Sequence, residues 1–131
     1  MVRALIVDDY EPLRVSVRSM LKVQPHLEIV GEASDGLEAV QKAIELKPDL
    51  ILLDISLPNL NGIQAAESIH RAVPGARILF LSQNTDVNVI RAALSNGAKG
   101  YVLKAEVGHE LLPAIEAVIR GERFVSSRIN L

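Results

Sequence analysis

The sequence contains no cysteine and no tryptophan, and only two tyrosines and two phenylalanines among its 131 residues. The absence of cysteine excludes a disulfide framework, a thiolate zinc site and a cysteine nucleophile, and it is typical of a protein from a reducing compartment. The scarcity of aromatic residues predicts a core of aliphatic side chains. No apolar run approaches the roughly 20 residues of a membrane-spanning helix, and no signal-peptide pattern opens the sequence. We therefore expect a cytoplasmic protein that does not contact a membrane.

The charge balance lacks an excess of either sign. Fourteen Lys and Arg stand against sixteen Asp and Glu, for a net charge of -2. Nucleic-acid-binding domains present a basic surface, so direct nucleic-acid binding by this domain is not expected. The hydrophobic fraction of 49% and the charged fraction of 23% indicate a globular chain, and its length suits one domain.

Five short apolar runs alternate with five segments of helical periodicity. The runs are residues 4–7, 27–30, 50–53, 78–81 and 101–103. Between them, apolar residues recur at intervals of three and four, which predicts amphipathic helices. Five such units predict the α/β class, a doubly wound (βα)5 flavodoxin-like fold with a parallel five-stranded sheet. The expected strand order is 2-1-3-4-5, and Glu28 marks the second strand as an edge strand.

Helix boundaries are predicted from capping and breaking residues. The spacing Asp35-x-x-Glu38 resembles a capping box at the start of the second helix. Gly97 predicts a left-handed residue after the fourth helix. Pro113 is compatible with the fifth helix only in its first turn, where a missing N–H costs no hydrogen bond. The fifth helix is therefore predicted to start near Gly108.

Polar residues directly follow four of the five apolar runs. They are Asp8 and Asp9, Asp54, Ser82 and Lys104. Because the carboxyl ends of parallel strands share one rim, these side chains are expected to converge there. Clustered carboxylates repel, and a hard cation with oxygen ligands, Mg²⁺ (or Mn²⁺), would compensate them. A carboxylate beside such a cation can attack phosphorus and form an aspartyl phosphate, while the cation and an ammonium group neutralise the transferring group.

In four motifs the chain resembles the receiver domains of response regulators from two-component systems: Asp8-Asp9, Leu53-Asp54-x-x-Leu57-Pro58-x-x-Asn61-Gly62, Leu81-Ser82 and Tyr101-x-x-Lys104. The resemblance covers residues 3 to 120. It implies that Asp54 is the phosphoacceptor. It also implies that the metal is bound by Asp9, by Asp54 and by the backbone carbonyl of Ser56, with Asp8 acting through water.

The same resemblance assigns roles at the ends of the last two strands. It implies that Lys104 pairs with the phosphoryl group, that Ser82 donates a hydrogen bond to it, and that Tyr101 turns inward when the domain is phosphorylated. Many receivers carry proline after the lysine, whereas Ala105 stands here, and a trans peptide is therefore expected. Because of this departure, and in the sequence of residues 97–104 and 120–125, the chain resembles receivers that precede a LuxR/NarL-type helix-turn-helix output domain.

This resemblance also implies the domain organisation and the partners. Residues 1–121 are expected to form the receiver domain, and residues 122–131 a C-terminal tail that begins a linker to an output domain outside the sequence. The partner would be a sensor histidine kinase or a phosphotransfer protein, with homodimerisation upon phosphorylation. Phosphorylation would change the face formed by the fourth helix, fifth strand and fifth helix. The output domain would contact DNA in transcription regulation, and this domain would catalyse only its own phosphorylation and dephosphorylation.

Parts of the sequence are compatible with other functions. A phosphohydrolase of the haloacid dehalogenase type carries a second Asp two residues after the nucleophile, where Ser56 stands here. A flavodoxin-like cofactor carrier needs free amides in the first loop, whereas residues 8–12 are acidic and would repel phosphate. Each polar strand-end residue could instead cap a helix or a turn, but their joint occurrence favours a site. A degenerate receiver that acts only through protein–protein interaction remains an alternative.

Overall fold

The computed structural model describes residues 1–131 and alternates strands with helices along the whole chain. The elements are β1 (Val2–Val7), α1 (Glu11–Lys22), β2 (Leu27–Ala33), α2 (Gly36–Leu46), β3 (Leu50–Leu53), α3 (Gly62–Ala72), β4 (Arg77–Ser82), α4 (Val87–Ser95), β5 (Gly100–Leu103), a 3₁₀ turn (Lys104–Glu106), α5 (Val107–Ile119) and β6 (Phe124–Val125). None of the helices is both long enough and apolar enough to cross a membrane.

All neighbouring strands of the sheet are parallel, in the order β2-β1-β3-β4-β5-β6. This confirms the doubly wound class, the core order 2-1-3-4-5 and the edge position of β2. The sheet contains one strand more than predicted, because β6 pairs with the outer edge of β5. With only two residues, β6 is too short to show a strand periodicity in the sequence.

The sheet separates two hydrophobic clusters. One contains alternate strand residues such as Leu5, Ile51 and Phe80 and is covered by α2, α3 and α4. The other contains the intervening residues, such as Ile6 and Leu52, and is covered by α1 and α5. Both faces are buried, which explains why the central strands are continuously apolar. The core is aliphatic, as predicted, apart from Phe80 and Tyr101.

The helix-end features predicted from the sequence are confirmed in part. Asp35 caps α2 by accepting a hydrogen bond from the Glu38 N–H at 2.8 Å, but the Glu38 carboxylate reaches back to Ser34 rather than to Asp35. Gly97 has φ of 89°, in the left-handed region. No peptide bond is cis, so the bond after Lys104 is trans, as predicted.

The predicted position of Pro113 was wrong. Helix α5 begins at Val107, and Pro113 is its seventh residue, in the second turn rather than the first. The helix therefore lacks one internal N–H bond, to the carbonyl of His109. It persists because its apolar face is buried against the sheet, including Leu111 and Ile115, and burial outweighs local propensity.

Candidate functional site

The carboxyl ends of β1 and β3 bring three carboxylates together. One oxygen each from Asp8, Asp9 and Asp54 lies within 4.8 Å of the others. Asp8 and Asp54 are 2% and 3% exposed, whereas Asp9 is exposed. The Asp54 N–H donates to the carbonyl of Val7 at 3.1 Å, so the sheet ladder itself sets the two loops side by side.

Lys104 supplies the positive charge at this rim. Its Nζ lies 2.8 Å from Asp8 Oδ2 and 3.2 Å from Asp54 Oδ2. It donates a hydrogen bond to Asp54, whereas the contact with Asp8 is an ion pair without hydrogen-bond alignment. Three carboxylates and one ammonium group leave the cluster with a net charge of -2.

The environment shifts the pKa values of two of these groups. Burial raises the pKa of Asp54 above its ordinary value, and the nearby Asp8 adds to the rise while Lys104 opposes it. Burial alone would lower the pKa of Lys104, but its interactions with Asp8 and Asp54 raise it overall. Unfavourable burial of a carboxylate beside a like charge is typical of a functional site.

The donor set fits a divalent cation. The Oδ1 atoms of Asp8 and Asp54 already accept the N–H groups of Tyr10 and Ile55, at 2.9 and 2.8 Å. Asp8 Oδ2 is buried and faces the ammonium group of Lys104 at 2.8 Å, but this one ammonium group is shared with Asp54 and cannot compensate three carboxylates. Oxygen donors with excess negative charge suit Mg²⁺ or a similar hard cation.

An open cleft of about 650 Å³ lies over the carboxylates. Its lining includes Asp9, Asp54, Ser56, Gln83 and Lys104. Ser56, whose carbonyl the resemblance assigns to the metal, therefore lies at the same opening as the acidic cluster. The cleft leaves Asp54 accessible to a small reagent although its residue surface is almost entirely buried.

Ser82 and Tyr101 both bind the main chain of Asn84, a polar residue that follows β4. The Oγ of Ser82, which is buried, accepts the N–H of Asn84 at 3.1 Å. The Tyr101 hydroxyl donates to the carbonyl of Asn84 at 2.8 Å. Burial raises the pKa of Tyr101 above its ordinary value. Asn84 thus connects the two side chains through its main chain.

Tyr101 lies inward, completely buried and tilted against Phe80 with ring centroids 6.2 Å apart. Inward rotation on phosphorylation was the expectation from the resemblance, and the structure describes the inward position. The hydrogen bond to Asn84 explains how the phenol can be buried there, because the hydroxyl keeps a partner.

Two further residues support the acidic cluster. The Arg14 guanidinium donates to the carbonyl of Asp8 at 2.6 Å and to Glu32 at 3.2 Å, which fixes the loop between β1 and α1. Gly62 approaches the chain at Asp54 so closely that a Cβ would lie 2.0 Å from the Asp54 carbonyl oxygen. Gly62 belongs to the Asn61-Gly62 motif of the sequence analysis. The sequence indicates Arg14 only as part of a basic row on α1, typical of a solvated helix face, whereas the structure places it against Asp8.

Within residues 122–131, predicted as the start of a linker, residues 124–126 and Ile129 pack against the domain while the others are exposed. The Ser126 side chain is 1% exposed, and its Oγ accepts the N–H of Leu103 at 2.9 Å. Sequence reasoning missed this residue because a single serine outside a motif carries no signal. The apolar pair Phe124-Val125 was the only indication that the segment returns to the sheet.

Comparison with known proteins places the chain in a family. The model of the family described as "Response regulator receiver domain" matches residues 4–116. The transcriptional regulatory protein LiaR of Bacillus subtilis is 36% identical over 129 residues, covering 98% of this chain and 61% of LiaR. The response regulator protein VraR of Staphylococcus aureus is 36% identical over 121 residues, covering 92% of this chain and 58% of VraR. The chain thus spans about three fifths of the length of these relatives.

Solved structures agree. A LuxR-family two-component response regulator from Aurantimonas sp. SI85-9A1 superimposes with a TM-score of 0.93 at 34% identity, over 98% of this chain and 92% of that chain. The response regulator domain of Thermotoga maritima CheB gives a TM-score of 0.85 at 37% identity, over 92% and 97% of the two chains. The protein therefore belongs to the response regulator receiver domain family of two-component systems.

Proposed function

We propose that Asp54 accepts a phosphoryl group and that this modification is the signal the domain transmits. The observation that carries the proposal is the position of Asp54 in the cleft, beside a second buried carboxylate and 3.2 Å from the ammonium group of Lys104. An Asp54 carboxylate oxygen attacks phosphorus, and the bond between phosphorus and the donor's leaving group breaks, with the electron pair departing on that group. The product is an aspartyl phosphate, which water later hydrolyses to the carboxylate and inorganic phosphate.

Asp9, Asp54 and the Ser56 carbonyl would hold Mg²⁺ (or Mn²⁺), and Asp8 would contribute through water. When bound, the cation neutralises charge on the transferring group and on the carboxylates. The supporting observation is the excess of two negative charges where three carboxylates meet a single ammonium group. Asp9 is the exposed carboxylate of the three. Unlike Asp8 and Asp54, it can approach an entering cation without breaking a hydrogen bond to a backbone N–H.

Lys104 would contact the phosphoryl oxygens, and Ser82 would donate a hydrogen bond to them. In forming that bond Ser82 Oγ would move away from the Asn84 N–H, which it binds at 3.1 Å. The loop carrying Asn84 then adjusts, and with it the hydrogen bond that holds Tyr101 inward. The switch is a shift of population between two loop positions, limited by the difference in phosphate interaction between them.

The family and the names of the relatives support a wider role. The face formed by α4, β5 and α5 would respond to phosphorylation and change partners, including a second copy of the chain. The phosphoryl donor would be a sensor histidine kinase or a phosphotransfer protein. LiaR is a transcriptional regulatory protein by name, so we infer that this receiver, residues 1–121, controls a DNA-binding output domain through a linker that begins within residues 122–131. The domain would act in the cytoplasm and have no substrate other than its own Asp54.

The proposal is tested by intact-protein mass after incubation with Mg²⁺ and acetyl phosphate. Wild type should gain one phosphoryl group, Asp54→Asn none, and Asp9→Asn should label more slowly because the metal is held less well. Glu45→Gln, an exposed carboxylate on α2, is the matched control and should label like wild type. A wild type that binds Mg²⁺ but is not labelled by several donors would favour the alternative, a degenerate receiver acting only through protein–protein interaction.

A further inference from the structure

The segment that follows α5 returns to the sheet and lies along β5. Phe124 and Val125 pair in parallel with Gly100 and Tyr101. The ladder continues with the Ser126 N–H, which donates to the carbonyl of Tyr101 at 2.9 Å. We name residues 124–129 the terminal strap, since the segment covers the edge of β5 as far as the end of that strand.

Ser126 lies where the strand ladder ends. Its hydroxyl is buried and uses both of its hydrogen-bonding functions: it accepts the N–H of Leu103 at 2.9 Å and donates to a carboxylate oxygen of Glu110 on α5. Ser127 donates to the other Glu110 oxygen through its N–H and its hydroxyl, at 3.1 and 3.0 Å. Although burial opposes the effect, these bonds lower the pKa of Glu110. The carboxylate is therefore held charged as an acceptor.

The residue held by Ser126 is the immediate neighbour of Lys104. Leu103 is the last residue of β5, and the chain turns directly after it into the 3₁₀ turn that begins with Lys104. At the far end of this turn, Arg128 of the terminal strap forms an ion pair with Glu106 at 2.9 Å. The terminal strap therefore contacts the chain on both sides of Lys104, at Leu103 and at Glu106. From this turn the ammonium group of Lys104 extends to the buried carboxylates.

We propose that Ser126 is a positioning residue for Lys104: through the Leu103 N–H it fixes the main chain from which Lys104 reaches the acidic cluster. The inference rests on the proposed role of Asp54 as phosphoacceptor. Ser126 lines neither the cleft nor the cluster of Asp8, Asp9 and Asp54, so it acts on Lys104 only through the neighbouring peptide. β6 ends at Val125, and the Leu103 N–H bonds to the Ser126 hydroxyl in place of a strand carbonyl.

The kinetic consequence is specific. With acetyl phosphate, the Asp54 oxygen–phosphorus bond forms, the phosphorus–oxygen bond to the acetyl group breaks, and acetate leaves with the electron pair. In this step Lys104 would neutralise negative charge on the phosphoryl oxygens. A misplaced Lys104 should therefore lower the maximal labelling rate by a larger factor than it raises the half-saturating donor concentration. We expect a fall of about tenfold, within the roughly hundredfold loss that a misplacement of about 1 Å can cause.

The experiment compares Ser126→Ala, Ser126→Thr and the control Ser127→Ala in the 131-residue chain. Labelling rates are measured against acetyl phosphate concentration in Mg²⁺, and amide exchange of Leu103 and the NMR resonances of Lys104 are followed in the same proteins. Ser126→Ala should be slow with faster exchange of the Leu103 amide, Ser126→Thr should recover both, and Ser127→Ala should match wild type. If Ser126→Ala fails to fold, Glu110→Gln loosens the same hydroxyl and should show the same pattern in weaker form.

Each remaining outcome decides the inference. Normal labelling of Ser126→Ala, with faster Leu103 exchange, overturns it, because the contact would then be structural only. Equal slowing in Ser127→Ala also overturns it, since the strap would act as a whole. If wild type itself is not labelled, the proposed function fails, and the Lys104 resonances decide alone. A shift in Ser126→Ala that Ser126→Thr reverses supports positioning, and unshifted resonances overturn it.

Discussion

Asp54→Asn should make the folded protein more stable in the absence of divalent metal. In the wild type, Asp54 is repelled by Asp8 and Asp9, whose oxygens lie within 4.8 Å, and attracted by Lys104 at 3.2 Å. With an effective dielectric constant of about 20, each repulsion is about 3 kcal/mol and the attraction about 5 kcal/mol. Solvent screens the repulsion from the exposed Asp9, but burial of the carboxylate adds a cost. The balance predicts a gain of about 1–2 kcal/mol for the amide, an order-of-magnitude figure.

The same electrostatics predict how the stability difference depends on pH. The pKa of Asp54 is raised in the folded state. Its contribution is therefore fully present below the unfolded pKa of about 3.9 and is lost as pH rises through the folded pKa. The advantage of Asp54→Asn should accordingly be seen at pH 7 and vanish near pH 4. Saturating Mg²⁺ should also reduce it, since a ligand that binds the folded wild type stabilises that protein.

The assay is urea unfolding followed by circular dichroism in EDTA at pH 7 and pH 4, and then in Mg²⁺ at pH 7. The control is Asp86→Asn, because Asp86 caps α4 by accepting the Asn88 N–H and asparagine caps a helix equally well. It should change the free energy of unfolding by less than about 0.5 kcal/mol. An Asp54→Asn protein that is no more stable than wild type at pH 7 in EDTA would refute the electrostatic reasoning.

Three further outcomes are expected. Gly62→Ala should destabilise the fold by at least about 2 kcal/mol, because its Cβ would meet backbone 2.0 Å away, whereas Gly75→Ala, with open space around it, should be close to neutral; urea unfolding compares them. Tyr101→Phe should cost about 1 kcal/mol by leaving the Asn84 carbonyl without its donor, and thermal unfolding measures it. Hydrogen bonds from arginine lower the pKa of Glu32, so its contribution is present above the unfolded pKa of about 4.3 and lost as pH falls through the folded one. Glu32→Gln should therefore flatten the acid limb of a stability–pH curve.

Clear results would contradict each of these. Equal stabilities of the two glycine variants would mean that the loop after β3 yields without cost. An unchanged melting temperature for Tyr101→Phe would show that the Asn84 carbonyl finds another donor. A parallel acid limb for Glu32→Gln would show that its arginine partners contribute nothing in the native state beyond solvent-exposed pairing.

The rim residues could be predicted because strand ends are visible in the sequence. Asp8, Asp54 and Lys104 each follow a continuous apolar run, and parallel strands bring such positions together whatever the loops do. Tyr101 shows where this reasoning stops, because its complete burial depends on a carbonyl of the distant Asn84. The prediction for Pro113 was wrong for a related reason. It assumed that local helix propensity sets where a helix can contain proline, whereas burial of the apolar face of α5 stabilises the helix around it.

The terminal strand was beyond sequence reasoning for reasons of length and distance. Two residues cannot display a period, and their partner in β5 lies more than 20 positions earlier in the chain. Ser126 and Arg14 share this property. Each binds one backbone group and one carboxylate on other elements, and such contacts leave no pattern in neighbouring residues.

The division of the core by the sheet has a consequence for how this domain tolerates change. Leu5 and Ile6 are adjacent in sequence but belong to different clusters, so substitutions in the two clusters share few partners and their energetic effects should add. One half can then accumulate substitutions while the other is held constant. The acidic rim borders both halves and is the place where their effects would combine. In evolutionary terms, each face can diversify on its own as long as neither moves the rim.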